Sequence, residues 1–518
     1  MKKRIAIILA IALVSVCALT VLAACDDPEG GGLADGIHSF VNGVCTDCGE
    51  SIASTANYGS AAWDEDHTIT IWTSQGQNLQ AQMDIAIRAF ETKYPGWTID
   101  LHTISGDYDE LFSEVSSKVQ VDEQPDLAFC YPDHVATYML SRKVVDLAKY
   151  IYSEDTIWVQ ESGYTTTEQD VNFPEEDIAD IPANFWNEGL ATSYADYARY
   201  GYNDDTIFTL PVAKSTELMY YNKTALKNAG IVNADGSAKV PQTWDELWEM
   251  GRILLEKYPS CTPLGYDSEA NWFITMCQQN GWGYTSASGN TAADHFLFNN
   301  AGVRDWLRSI QGLYTNEHML ITRQTYGGQY TSNLFKLGTN GGAIFCIGSS
   351  AGASNQDPGT DFEWGVAPIP GSTYTDRGET KINNSVISQG PSMVMFRSTK
   401  ATNPDEKEYM SFLFMKELLD PTFQASYSIS SGYTPVRLSA LEVPAYKDTL
   451  ILGASDAGNI VQKAIYVAST ISDRFFTSPV FSGSSKARTE VGALVVQVLN
   501  GAEVEAQVRA AIAACGVA

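Results

Sequence analysis

Two groups of side chains in this sequence have types and spacing suited to chemistry. The first is His38, Cys45 and Cys48. A Cys-x-x-Cys followed by Gly49 can turn two thiolates toward one metal, with His38 as a third ligand. A structural zinc site takes four ligands and no second Cys-x-x-Cys follows, so a Cys45–Cys48 disulfide or free thiols compete with metal. The second group suits hydroxyl recognition. Trp72 is followed by Ser74, Gln75, Gln77 and Asn78, and Tyr131-Pro132-Asp133-His134 gives another aromatic and polar set. Aromatic platforms beside amide and carboxylate acceptors fit the C–H faces and hydroxyls of a neutral sugar. The competing readings are a packed core indole at Trp72, a solvated loop after it, and Asp133 as a cap on a helix starting near Val135.

Catalytic and cofactor signatures are thin. There is no His-Glu-x-x-His, no Gly-x-Ser-x-Gly, no phosphate-loop lysine and no dinucleotide fingerprint. None of the six histidines forms an i, i+4 pair. The expectation is therefore a non-enzyme without a cofactor. With 62 acidic residues a paired-carboxylate glycosidase stays open on composition, and an adhesin is a third reading. The charge is more decisive about partners. Lys+Arg 33 against Asp+Glu 62 gives a formal −29. A surface so acidic argues against nucleic acid, whose phosphates need lysine and arginine, and against adsorption to anionic lipid.

The elements that must hold these groups alternate between strand and helix. Thr68 to Thr73 alternates with β-branched residues and reads as a strand. Met83, Ile87, Phe90 and Tyr94 follow at helical spacing, and Pro95-Gly96 ends that helix. Thr98 to Ile104 alternates again. Leu111, Val115 and Val119 mark a second helix, and Pro125 precedes the apolar run Leu127 to Cys130. This βαβαβ order implies a parallel, doubly wound sheet, whose ligands gather beyond the carboxyl ends of the strands. Those ends are the loops Trp72 to Asn78 and Tyr131 to His134. Farther on, Thr243 with Glu246 is a capping box opening a helix with Trp244, Leu247 and Leu254 on one stripe. Gly342 to Ser350 is a buried strand ending in small residues.

The amino terminus reads as an export signal. Lys2, Lys3 and Arg4 precede an apolar run from Ile5 to about Leu22, then Ala23, Ala24 and Cys25. Removing residues 1–24 deletes three of the 33 basic residues and no acidic one, taking the formal charge from −29 to −32. Residues 25–66, with Asp26-Asp27-Pro28-Glu29-Gly30-Gly31-Gly32, read as a flexible tether. Nine cysteines are too few for a disulfide scaffold.

Leu22-Ala23-Ala24-Cys25 resembles the lipobox of bacterial lipoproteins, which implies lipidation of Cys25 and a body held outside the cell membrane. Downstream stand Ile69-Thr70-Ile71-Trp72, Phe90-Glu91-Thr92-Lys93-Tyr94-Pro95, Pro125-Asp126, and Leu210-Pro211 leading to Tyr220-Tyr221-Asn222-Lys223. Pro241-x-Thr243-Trp244-Asp245-Glu246-Leu247, the Gly342 to Ser349 strand and Gly432-Tyr433-Thr434-Pro435-Val436-Arg437 follow in order. Together, over roughly residues 67–510, they make the chain resemble extracellular solute-binding proteins of family 1. These are the maltose-binding-protein-like sugar-binding lipoproteins of ABC importers.

The resemblance implies an α/β, two-lobed, class II periplasmic-binding-protein-like fold, with doubly wound sheets and a hinge between the lobes. It implies crossings near Val212 to Ser215 and Ile347 to Ser349. Lobe 1 would take 67–213 and return over 348–425; lobe 2 would take 214–347 and most of a helical 426–518. The implied partners are a carbohydrate, the permease subunits of an ABC transporter and, through the anchor, the membrane, with the protein a monomer. Beside the loop residues, the resemblance draws Ser215, Glu217, Trp272, Trp282, Ser349, Tyr433 and Arg437 toward the cleft. A surface salt bridge at Glu217 and a bracing role for Arg437 are the plainer readings.

Overall fold

Two β-sheets form because the chain supplies two sets of short apolar strands, each flanked by helices with one buried face. The computed structural model describes residues 67–160, 166–288 and 291–516, with the paired segments Phe40–Val41 and Val44–Cys45. Cys25, His38 and Cys48 lie outside the described residues, and Cys45 is described only through its strand pairing with Phe40.

The first sheet runs in the order Thr98–Thr103, Thr68–Thr73, Leu127–Cys130, Ser392–Met395, Thr209–Pro211. Its first three strands are parallel, as the βαβαβ pattern requires, and Ser392–Met395 is antiparallel to both neighbours. Leu127–Cys130 is central and wholly buried, which is why it reads as a continuous apolar run and not as alternation. The Gln77–Lys93 and Tyr108–Gln120 helices bury Met83, Phe90, Leu111 and Val115 against this sheet.

The second sheet has the order Leu320–Thr322, Thr262–Tyr266, Ala343–Ser349, Ser215–Asn222, Val386–Gln389, Phe475–Phe476, and Trp364–Pro368 also pairs with Ser215–Asn222. A separate core covers it, with Leu247, Trp272, Phe345 and, from the last helices, Val491, Leu494 and Val498. Two cores with chain passing between them are the two lobes. The Trp244–Lys257 helix opens as the sequence suggests, Thr243 Oγ1 accepting from the Glu246 amide at 3.2 Å. Glu246 reaches one residue farther back than a capping box specifies, accepting from the Gln242 amide at 2.7 Å.

The chain crosses first between Pro211 and Ser215, inside the expected segment. The second crossing is elsewhere than expected. Ser349 leads into the short Ser350–Gln356 turn, and Trp364–Pro368 and Val386–Gln389 still pair with Ser215–Asn222 in the second sheet. The chain returns to the first sheet only between Gln389 and Ser392, so a lobe 1 segment beginning at 348 is replaced by one beginning near 391. The reason is local. Pro391 cannot donate to a ladder, and its carbonyl accepts from the Val212 and Ala213 amides at 3.1 and 3.2 Å, laying the two crossings side by side. Gly390 has φ +110°, and a Cβ there would sit 2.4 Å from the Ala213 carbonyl oxygen, so only glycine fits that contact. Thr434 pairs with Lys214 to add a third strand of chain to this junction.

Candidate functional site

Beneath the crossings lies a cavity of about 440 Å³ walled by both lobes. That volume is in the range of roughly 300–1,000 Å³ of pockets that enclose a small ligand. Tyr131 and Asp133 enter from the first lobe, at the start of the Pro132–Tyr138 helix that follows the central strand. Asn184 and Asn187 join them from the Ala183–Asn187 helix, and Glu188 from the residue that caps its end. Ile274, Tyr284 and Arg488 face them from the second lobe, while Lys214, Ser388, Gln389 and Gly390 belong to the crossings.

Two cations dominate the cavity, and each meets a carboxylate. Arg488 stands on the Ser484–Leu499 helix, whose Ala487, Val491 and Leu494 are buried. Its Nε donates to Asp133 Oδ2 at 3.2 Å, across the lobes, and its Nη1 donates to Asn271 Oδ1 at 2.7 Å. Asn271 in turn donates to Glu217 Oε1 at 3.2 Å, and the Tyr266 hydroxyl donates to Glu217 Oε2 at 2.6 Å. Burial pushes the Glu217 carboxyl up to about 7, against the lowering effect of its Tyr266 and Asn271 hydrogen bonds. Lys214 is ion-paired with Glu188, their side chains 1% and 8% exposed. A buried pair of this kind fixes geometry more than it adds stability. Three polar atoms of the lining residues are buried without a partner: Glu188 Oε1, Ser388 Oγ and Ser478 Oγ. Outside the cavity a second ion pair joins the lobes, Arg323 Nη1 to Asp107 Oδ2 at 2.9 Å.

Of the residues proposed from sequence, Tyr131 and Asp133 line this cavity. Gln75 and Tyr433 belong to an aromatic set beside it: Gln75 Nε2 donates to the Tyr108 hydroxyl at 3.4 Å, Tyr108 lies 4.6 Å from Tyr131, and Tyr433 lies 6.0 Å from Tyr427. Glu217 stands behind the wall and reaches the cavity through Asn271 and Arg488. Ser215 is a buried strand residue paired with Gln389 at the crossing. Ser349 pairs with Glu217, and its hydroxyl accepts from the Ala351 amide at 3.2 Å. Ser74 sits beside Gln75, its hydroxyl buried and unpartnered, and Gln77 begins the following helix.

Four residues are placed away from the cavity lining. Trp72 is a half-buried core neighbour whose ring lies 5.5 Å from that of His102 at a tilt of 50°. Trp272 is wholly buried on the far side of its helix from Ile274, and Trp282 packs on Gly302 at the start of the Ala301–Thr315 helix. Arg437 braces lobe 1, ion-paired with Asp177 and, at 2.6 Å, with Asp180. His134 beside Asp133 stacks 4.6 Å from Phe112, and burial pushes its imidazole down to about 4, so it is neutral. No cluster of His, Cys, Asp and Glu able to hold a metal occurs among the described residues, where Cys130, Cys261, Cys277, Cys346 and Cys515 are buried and free.

Sequence reading missed Arg488, Lys214, Glu188 and the Thr477–Val480 segment. Lys214 had a signal, since it lies within the expected crossing. Arg488 had only a faint one, a second cation two residues after Lys486 on a stretch otherwise rich in small and apolar residues.

A family profile described as "Bacterial extracellular solute-binding protein" matches residues 86–454, most of the chain. The chain belongs to that family. Among its relatives, this solute-binding protein is 22% identical over 381 residues to the sn-glycerol-3-phosphate-binding periplasmic protein UgpB of Escherichia coli K12, covering 73% of this chain and 76% of UgpB. Among solved structures it is similar to the GacH receptor of Streptomyces glaucescens, with TM-score 0.61 and 16% identity over 87% of this chain and 96% of that one. It is also similar to UgpB of Mycobacterium tuberculosis in complex with glycerophosphocholine, with TM-score 0.62 and 18% identity over 86% and 96% of the two chains. An ABC substrate-binding protein of Listeria monocytogenes in complex with cycloalternan gives TM-score 0.64 and 15% identity over 86% and 97%. At these identities the structural likenesses establish the two-lobed α/β fold of this solute-binding protein.

Proposed function

We propose that this solute-binding protein is the substrate-binding lipoprotein of an ABC importer. It captures a neutral mono- or oligosaccharide between its lobes and presents the closed form to the membrane permease. The observation that carries this reading is the charge balance of the cavity. Lys214 is already paired with Glu188 and Arg488 with Asp133, so the lining offers no uncompensated cation to a phosphate. What it offers instead are amides and hydroxyls, from Asn184, Asn187, Ser388, Gln389 and Ser478, beside the rings of Tyr131 and Tyr284. That set matches the hydroxyls and C–H faces of a sugar. A ligand touching both lobes binds the closed form better than the open one, and this difference drives closure.

The relatives named for glycerol phosphate make a glycerophosphate ligand the second reading. Calorimetric titration with neutral oligosaccharides, glycerol 3-phosphate and glycerophosphocholine decides between them. Saturable binding of a neutral sugar without turnover is expected. Tighter binding of either phosphate compound, or hydrolysis of the sugar, overturns the proposal. Anchoring through Cys25 on the outer face of the bacterial cell membrane is part of the same reading and rests on the Leu22 to Cys25 sequence. The Cys25→Ala chain should leave the membrane fraction and lose its fatty-acid label; retention of both would refute it.

A further inference from the structure

The two ion pairs of the cavity are not equivalent. Lys214 and Glu188 are sealed, whereas the Arg488 and Asp133 side chains keep 20% and 12% of their surface exposed. Only the second pair can meet a ligand while it stays formed. It is also incomplete. A guanidinium and a carboxylate can make two parallel hydrogen bonds, and here they make one, Nε to Oδ2 at 3.2 Å. Among the described residues nothing bonds to Asp133 Oδ1 or to Arg488 Nη2, although both side chains line the cavity.

Asp133 and Arg488 differ in what else holds them. The Asp133 carboxylate caps nothing: Tyr131 is the N-cap of the Pro132–Tyr138 helix, and Arg488 is the one hydrogen-bond partner of Asp133 among the described residues. Arg488 has a second tether. Its Nη1 donates at 2.7 Å to Asn271, which belongs to the same lobe and is fixed in turn by Glu217. Neutralising residue 133 therefore leaves the guanidinium in place and removes its balancing charge. The other carboxyls acting on Arg488 are Asp109 and Glu217. Desolvation pushes them up to about 6 and about 7, so at pH 5.5 both are largely protonated. A guanidinium in a cleft without a carboxylate beside it is a receptor for phosphate. With Asp133 in place a phosphate meets a like charge, whereas a hydroxyl, which accepts and donates, can answer Nη2 and Oδ1 together.

We infer that Asp133 is the specificity-determining residue of the cleft, the carboxylate that turns Arg488 from an anion receptor into a partner for sugar hydroxyls. The inference rests on the neutral-sugar reading of the cleft and adds the side chain that enforces it. Calorimetric titrations at pH 5.5 compare the parent with Asp133→Asn and Asp133→Ser, using glycerol 3-phosphate and a panel of maltose, cellobiose and raffinose. Two neutral replacements are used so that the result does not hang on one of them folding, which thermal unfolding checks. In the variants, glycerol 3-phosphate should bind at least about tenfold more tightly than in the parent, and the sugar at least about tenfold more weakly. The gained affinity should fall as salt is raised and vanish in Asp133→Asn/Arg488→Gln. Sugar binding by the parent with no gain for glycerol 3-phosphate in either folded variant overturns this inference alone. A gain that survives Arg488→Gln also overturns it, because another cation is then responsible. A gain in the variants with no sugar bound by the parent upholds the role of Asp133 and refutes the sugar reading. A parent that prefers glycerol 3-phosphate to every sugar refutes both.

Discussion

Glu217→Gln tests the buried network behind the cavity. Glu217 is 2% exposed, and burial carries its carboxyl from 4.5 up to about 7. Between those values the folded protein holds a proton that the unfolded chain has released. The folded state therefore gains from this group at low pH and loses that advantage as pH rises through about 7. Across that interval, at about 1.4 kcal/mol per pH unit, the loss is about 3 kcal/mol. A glutamine is neutral throughout and keeps both contacts, its carbonyl accepting from Asn271 and its amide donating to the Tyr266 oxygen. In denaturant unfolding of the ligand-free protein, the stability of Glu217→Gln relative to the parent should rise by about 3 kcal/mol between pH 4 and pH 8. Parallel pH profiles for the two proteins would refute protonation of Glu217 in that window. A variant that falls behind the parent at pH 8 would show that the ionised carboxylate, acting through Asn271, is what holds Arg488.

Three other substitutions probe the junction between the lobes. Gly390→Ala places a Cβ 2.4 Å from the Ala213 carbonyl at φ +110° and should cost about 2–3 kcal/mol, read from thermal unfolding; an unchanged midpoint would refute the tight crossing. Lys214→Met leaves Glu188 buried without its cation and should cost about 3–5 kcal/mol, with Lys214→Met/Glu188→Gln recovering most of it; equal loss in both would refute the pair as the cause. Asp107→Asn removes the partly exposed bond to Arg323, worth at most about 1 kcal/mol, and should enlarge the ligand-free radius of gyration in X-ray scattering while weakening ligand affinity by up to about fivefold. No change in either quantity would show that the pair does not hold the lobes together.

What the sequence discloses depends on how far apart the interacting residues lie. Thr68 to Thr73, the helix stripe Leu111, Val115 and Val119, and the Thr243 cap are local patterns, and each appears in the fold where its pattern lies. The first crossing is local too, a Pro-Val-Ala-Lys step between two strands. The second was masked because Gly348-Ser349-Ser350 carries the same small-residue signal as a strand leaving its sheet. The chain instead turns through Ser350–Gln356 and adds two more strands to the same sheet. Aromatic residues mislead for a related reason: an indole is equally good as platform and as core. Trp272 and Trp282 could be sorted only by what lies opposite them, Trp306 and Gly302. Arg488 meets Asp133 across 355 positions and Lys214 meets Glu188 across 26, and no local spacing encodes such partners.

The excess of acidic residues and the balance of the cavity are two separate facts with one consequence. A body carrying a formal −29 has carboxylates to spare, and at the junction it uses two of them to answer two cations inside a low-dielectric space. Each carboxylate also accepts a geometric duty: Asp133 ties lobe 1 to a helix of lobe 2, and Glu188 holds the lysine of the crossing itself. A ligand entering this space competes with neither bond if it is uncharged, because its hydroxyls can address the lining amides of Asn184, Asn187 and Gln389 while both pairs stay intact. An anionic ligand would have to break one pair and strand its carboxylate in a buried site, a cost that grows as the lobes close and water leaves. Closure and selectivity against charge are on this view the same event, since the ion pair that draws Asp133 toward Arg488 also withdraws that cation from any competing anion.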